Sequence, residues 1–285
     1  MMKFMSLITS LLFLLSCAKG CGQNKGGEGT RAAATEITEE VTKAVSRYET
    51  EAFVTHSGMP VEITLIKHGT LAIRFAGHWI QVDPVCGLGK PTDYAAEFPK
   101  ADLILVTHEH GDHLDAEALK ALTGEKTRLL LNAASAAKLS GVEGVPAPEV
   151  MAGGDKRILV FEERPESCVQ PGDVIVEAVP AYNTTPGREK FHPKGNGNGY
   201  VLTLDGLRIY IAGDTEDIPE MAQLEDIDLA FLPVNQPYTM TVEQCVRAAK
   251  SFMPKVLIPY HFSQTDISSL PAQLPDITVL LRDMQ

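Results

Sequence analysis

At 285 residues and 44% hydrophobic content, the chain can bury a sizeable core as one large domain or two small ones. Its 25 basic and 37 acidic residues leave a formal net charge of -12. That balance disfavours general nucleic-acid binding, which needs Lys and Arg to neutralise phosphate, although a local basic cleft stays compatible with it.

Residues 1–16 read as a targeting segment. Lys3 supplies a positive start, and the apolar run from Phe4 to Leu15 is too short to span a bilayer but suits the core of a signal peptide. The run ends Leu14-Leu15-Ser16-Cys17, which resembles a bacterial lipobox. That resemblance implies cleavage before Cys17 and lipidation of its thiol. The mature protein is then held in the cell envelope by a lipid anchor, facing the periplasm or the exterior. An ordinary secretory signal cleaved nearby is the alternative. The stretch from Ala18 to about Ala34 is polar and Gly-rich and lacks the apolar surface to order itself. With a short helix after Thr35 it makes residues 17–52 a tether, and the globular part runs from Phe53 to residue 285. Of the other cysteines, Cys21, Cys86, Cys168 and Cys245 show neither a disulfide framework nor metal-pair spacing.

Val61–Ile66, Leu71–Phe75 and Trp79–Val82 form a predicted antiparallel meander, with turns at His68-Gly69 and Ala76-Gly77. It ends at Asp83-Pro84. Asp102–Val106 is a short apolar run that reads as a strand buried on both faces. It leads into Thr107-His108-Glu109-His110-Gly111-Asp112-His113-Leu114-Asp115, and Asp115 can cap a helix beginning at Ala116. Three histidines and an aspartate thus share one loop at a strand end, and imidazole and carboxylate are ligands of divalent transition metals. Leu129–Leu131 and Asn132–Leu139 follow as strand and helix, an α/β pattern. Further strands are predicted at Lys156–Phe161 and Asp173–Val179.

Next come Tyr182-Asn183 and Phe191-His192-Pro193-Lys194-Gly195-Asn196-Gly197-Asn198-Gly199. The glycines let the backbone approach something closely. The Gly-Lys-Ser/Thr ending of a P-loop is missing. A hairpin over 200–211 turns at Asp205-Gly206 and feeds Gly213-Asp214-Thr215. Ile227–Pro233 is another buried strand. Thr241 and Gln244 predict a capping box, with Cys245 on the apolar side of the helix and Pro254 ending it. The last core strand, Lys255–Tyr260, delivers His261.

The His108-x-His110-x-Asp112-His113 loop resembles the signature of the metallo-β-lactamase superfamily. Over residues from about 60 to 262, the resemblance implies an αββα sandwich, two mixed β-sheets face to face with helices outside. It implies that Asp214 bridges two metals and that His261 is the terminal ligand. His68 and Asp83 are expected near the loop, His68 lining the substrate pocket with a catalytic part, or else both serve only as turn residues. In much of the superfamily a histidine stands where this chain has Tyr182-Asn183. Here the pattern with Phe191-His192-Pro193-Lys194-Gly195 resembles a subgroup of metal-dependent hydrolases. His192 is then the third ligand of the first metal, or else it only orients substrate.

The expected first site is His108, His110 and His192, and the second Asp112, His113 and His261. Two divalent ions about 3.5–4 Å apart lower the pKa of a bridging water to near neutrality. Zinc fits the His-rich shell, with manganese or iron compatible. Asp112 can also orient the nucleophile and pass a proton. β-Lactam hydrolases of the superfamily usually carry another residue at the Asp214 position, which weighs against antibiotic hydrolysis. The expected partner is a small-molecule ester, lactone or phosphodiester. Asn183, Lys194 and Asn196 could hold an anionic group or simply be solvated. The alternative is a non-catalytic lipoprotein that keeps the metal for structure or binding.

Overall fold

The computed structural model describes residues 47–161 and 169–284. The signal segment, Cys17, the Gly-rich tether, Cys21 and Cys168 lie outside the described residues.

Two seven-stranded mixed sheets build the domain. The first contains, in spatial order, β1 (Glu49–Val54), β2 (Pro60–Lys67), β3 (Thr70–Phe75), β4 (His78–Val82), β5 (Leu103–Leu105), β6 (Arg128–Leu131) and β7 (Pro148–Val150). The second contains β8 (Lys156–Leu159), β9 (Val174–Ala181), β10 (Gly197–Leu204), β11 (Leu207–Ile211), β12 (Leu229–Pro233), β13 (Val256–Tyr260) and β14 (Thr278–Val279). In the first sheet the three leading pairings are antiparallel and the remaining three parallel. The second sheet repeats that layout. Parallel strands deliver their carboxyl ends to one edge, so both sheets present loops there.

The period of two along each strand explains the layering. Val61, Ile63, Leu65, Leu71 and Ile73 from the first sheet share one buried cluster with Val174, Leu202, Ile209 and Phe231 from the second. The alternate residues face helices. Ile104, Leu129 and Leu131 pack with Tyr94 of α1 (Tyr94–Glu97) and with Leu119 and Leu122 of α2 (Ala116–Leu122). A short α3 (Ala133–Lys138) follows β6. On the second sheet, Tyr210, Ala230 and Leu257 pack with Cys245, Ala249 and Phe252 of α4 (Val242–Phe252), and with Leu270 of α5 (Leu270–Gln273). Each buried Leu, Ile or Phe contributes roughly 1.5–3 kcal/mol. The result is the αββα sandwich. Asp115 caps α2 through Glu117 N and Ala118 N, and α4 carries the Thr241/Gln244 capping box, as the spacing predicts.

The first strand begins at Glu49, ahead of the boundary expected at Phe53. β1 is a half-exposed edge strand, and Arg282 pairs with its Glu49 and Glu51. β10 begins at Gly197, so two of the glycines lie inside a strand. A Cβ on Gly197 would stand 2.8 Å from Ala181 O, and one on Gly199 2.7 Å from Ala212 O. What these glycines let in is neighbouring backbone, not a ligand. Among the described residues no helix is long and apolar enough to cross a membrane. Cys86 and Cys245 are free thiols, the latter buried on α4.

Candidate metal centre

Strand ends from both sheets meet here. β2 delivers His68, β4 Asp83, β5 the 107–113 loop, β11 Asp214 and β13 His261, while His192 comes from the loop between β9 and β10. His68, Asp83 and His261 each directly follow a strand and take positive φ, at 48°, 45° and 49°. Non-glycine residues seldom adopt that region, and it persists where surrounding structure enforces it. The enforcement is visible. His261 N donates to His68 O at 3.1 Å, and Thr107 O accepts from Asn198 N at 2.9 Å and Asn132 Nδ2 at 2.8 Å. The bonds from His261 and Asn198 tie the two sheets together beside the site. Gly69 is needed for a different reason: a Cβ there would stand 2.7 Å from His113 Cε1.

Asp214 sits between two groups of imidazoles. Its Oδ2 lies 3.2 Å from His192 Nε2 and 3.8 Å from His108 Nε2. Its Oδ1 lies 3.3 Å from His113 Nε2 and 3.4 Å from His261 Nε2. Asp112 Oδ2 reaches His68 Nε2 at 3.2 Å, His261 Nε2 at 3.7 Å and His113 Nε2 at 3.9 Å. His110 completes the first group, its ring 4.6 Å from that of His108 and 5.1 Å from that of His192. Ligand atoms of His108, His110 and His192 fall within 4.8 Å of one another, as do those of His68, Asp112, His113 and His261.

The donor set fits divalent cations. Nε2 of His108, His113, His192 and His261 and Oδ1 of Asp214 are buried without a hydrogen-bond partner. So many orphaned polar atoms aimed at one place are costly unless something binds them. The opposite ring nitrogens are engaged. His113 Nδ1 meets Asp83 Oδ2 at 2.7 Å, His108 Nδ1 meets Thr107 Oγ1 at 3.1 Å, and His192 Nδ1 meets Tyr238 O at 3.2 Å. His261 Nδ1 lies 3.3 Å from the Asn235 amide. For His113, His108 and His192, an acceptor holding Nδ1–H leaves the Nε2 lone pair free to ligate.

The electrostatics agree. Burial and the neighbouring imidazoles press His108 well below the usual histidine range, so it stays neutral. Burial also opposes charge on His113, but the carboxylates of Asp214 and Asp83 outweigh it and push this imidazole up to about 10. Burial alone would raise Asp214, yet His261 and His113 hold it well below the carboxylate range. Asp112 is likewise held far down by His261 and His68 against its own desolvation. A proton on His113 thus balances the buried carboxylates, and a cation can take its place.

The expected first group, His108, His110 and His192, stands together. So does the second, Asp112, His113 and His261, joined by His68, whose ring is 3.6 Å from that of His261. Of the three residues read as anion holders, Asn183 and Lys194 are engaged by protein partners, while Asn196 lines a narrow cleft with His108, His110 and Asp214. Asn183 is buried, its Nδ2 donating to Tyr238 O at 2.7 Å and Arg188 O at 3.1 Å. Lys194 Nζ pairs with Glu220 Oε1 at 3.0 Å and donates to Tyr182 OH at 3.0 Å. Asn196 Nδ2 donates to Glu109 Oε1 at 2.5 Å beside a narrow cleft at His108 and His110. Thr107 and Asn235 gain a part the sequence pattern did not assign, although both lie in loops it placed at strand ends. An open cavity of about 280 Å³ adjoins the cluster, lined by His110, Asp112, Phe191, His192, Asp214, Asn235, Tyr238 and His261.

Sandwich and centre together define a metal-dependent hydrolase of the metallo-β-lactamase fold, and comparison with known proteins agrees. A family model described as a β-lactamase superfamily domain matches residues 62–261. A UPF0173 metal-dependent hydrolase of Pyrococcus furiosus is 32% identical over 212 residues, covering 71% of this chain and 85% of the relative. A crystal structure from Parabacteroides distasonis, described as a metal-dependent hydrolase, is 49% identical with a TM-score of 0.74, covering 84% of this chain and all of the other (100%). A metallo hydrolase from Ignicoccus hospitalis shares the fold at a TM-score of 0.62 and 24% identity, over 79% of this chain and 95% of its own. The chain belongs to the UPF0173 family of metal-dependent hydrolases.

Proposed function

We propose that this hydrolase cleaves a small-molecule ester, lactone or phosphodiester at a centre for two divalent ions. His108, His110, His192 and Asp214 Oδ2 would hold one ion, and Asp112, His113, His261 and Asp214 Oδ1 the other. Bound there, the pair supplies an attacking water of lowered pKa and electrostatic stabilisation of the oxygen that gains charge. The imidazole-rich donors suit zinc, with manganese or iron compatible. Asp112, its side chain 36% exposed and hydrogen-bonded to His68, would carry a proton toward the leaving oxygen. The observation that carries the reading is the division of one buried carboxylate between two sets of unpartnered Nε2 atoms.

Elemental analysis of the purified protein is expected to find about two ions per chain, as a two-metal site requires. His108→Ala should lower that content and reduce turnover of generic ester and phosphodiester substrates on the order of a hundredfold or more. Unchanged hydrolysis in that variant would overturn the proposal.

The amino-terminal pattern extends it to an envelope lipoprotein anchored through Cys17. Cys17→Ala is expected to abolish incorporation of labelled fatty acid and move the protein from the membrane to the soluble fraction. A variant still labelled and membrane-bound refutes the anchor.

A further inference from the structure

The cavity beside the imidazoles has an aromatic wall. Phe191 and Tyr238 meet edge to face, their centroids 5.1 Å apart and their planes at 72°. Tyr238, 47% exposed, is the most exposed large aromatic among the described residues. Rings open to solvent beside a polar cluster are a surface for a ligand, since nothing in the core needs them there.

That wall is held rigidly by a buried acid. Glu216 follows the Gly213-Asp214-Thr215 turn and is fully buried. Its Oε2 accepts from Thr184 N at 2.8 Å and Thr185 N at 2.6 Å, and its Oε1 pairs with Arg188 Nε at 3.1 Å. Arg188 also donates to Pro237 O at 2.8 Å and to Thr239 O. Asn183 adds its bond to Tyr238 O. The segment that carries Phe191 and the segment that carries Tyr238 are therefore tied to each other and to the turn that delivers Asp214.

The same bonds consume the local positive charge. Among the described residues, those lining the cavity include no Lys and no Arg, but they do include Asp112 and Asp214. Arg188 is neutralised by Glu216 and Lys194 by Glu220. Lys190 lies with its Nζ 5.2 Å over the Phe191 ring and is not part of the lining. A phosphodiester enters with a negative charge and spreads more over its equatorial oxygens as it reacts, which protein cations normally share with the metal. An ester carbonyl enters neutral and gains charge only on the one oxygen next to the metal.

Resting on the hydrolytic reading above, we infer that the substrate is an uncharged ester or lactone whose apolar acyl portion lies against Phe191 and Tyr238. In the reaction, the water oxygen bonds to the acyl carbon and the bond from that carbon to the leaving oxygen breaks. One water proton ends on the leaving oxygen and the other is released from the acid formed.

The test is steady-state kinetics of the full chain, loaded with zinc, on p-nitrophenyl acetate, butyrate and octanoate and on bis-p-nitrophenyl phosphate, each referred to its uncatalysed rate. The expected result is a kcat/KM that climbs at least tenfold from acetate to octanoate, because a buried methylene is worth about 0.8 kcal/mol. The rate enhancement on the esters should exceed that on the phosphodiester. Phe191→Ala and Tyr238→Ala should each lower the octanoate-to-acetate ratio about tenfold, with zinc content as the check on folding, and Phe191→Leu should restore part of it. A flat acyl series that neither variant alters, or a larger enhancement on the phosphodiester, overturns the inference and leaves the hydrolase reading standing. Zinc-loaded protein that turns over none of these substrates overturns both.

Discussion

Asp214→Asn is expected to cost on the order of a thousandfold in hydrolysis, the scale seen when an electrostatic element acting directly on the reacting centre is removed. Ion content should fall from two per chain to one or fewer. The amide keeps the volume of the carboxylate, so the change isolates charge and donor type. Asp214 is the residue that faces both groups of imidazoles, Oδ2 toward His108 and His192 and Oδ1 toward His113 and His261. An amide can offer its oxygen to one side only and would turn an NH₂ toward the other. It also removes a negative charge from a site where the carboxylate is buried. Two divalent ions held close together would repel, and a carboxylate between them would offset this. Elemental analysis with kinetics on one substrate checks the prediction, and two tightly held ions with near-normal turnover would refute the bridging role.

Much of this centre was legible because the physics that makes strands also places their ends. The apolar runs before His108, Asp214 and His261 are short and largely buried, so their carboxyl ends fall on one edge of the sandwich. Where Tyr182-Asn183 departs from the family pattern, His192 was expected either as the third ligand of the first group or as a group that orients substrate, and its imidazole stands with those of His108 and His110. What stayed hidden depends on partners far along the chain. Lys194 meets Glu220, Asn183 meets Tyr238 and Glu216 meets Arg188, pairings that no local pattern encodes. Polar residues near a ligand loop look alike in sequence, whether they face a substrate or hold a loop. Edge strands were obscured for another reason. β1 is half-exposed and acidic and β7 begins with Pro148, features that keep edges from pairing with other chains and also blur the alternation that marks a strand.

Asp83→Asn should reach the centre without touching an ion. Ion affinity is expected to fall about 10- to 100-fold, the range for groups that orient metal ligands, with the His113 side losing its ion first. The Asp83 carboxylate is fully buried and accepts three hydrogen bonds: Thr107 N on Oδ1 at 2.7 Å, and Thr107 Oγ1 at 2.6 Å and His113 Nδ1 at 2.7 Å on Oδ2. The variant's amide has no second acceptor oxygen, so a side chain that keeps its bond from Thr107 N turns an NH₂ toward His113. The ring then has to accept at Nδ1 and carry its proton on Nε2, which is the atom aimed at the ion. The pH dependence reports the same linkage. In the ion-free protein His113 is raised to about 10, so its stabilisation is fully present below the ordinary histidine value near 6.5 and is lost as pH climbs through about 10. Ion uptake must displace that proton, and affinity should therefore rise about tenfold per pH unit from neutrality until about pH 10. Removing the Asp83 charge takes away one of the three carboxylates that raise His113, so the rise should level off at lower pH in the variant. Titration calorimetry across pH checks both statements, and an unaltered affinity with an unaltered slope would show that Asp83 is only a turn residue.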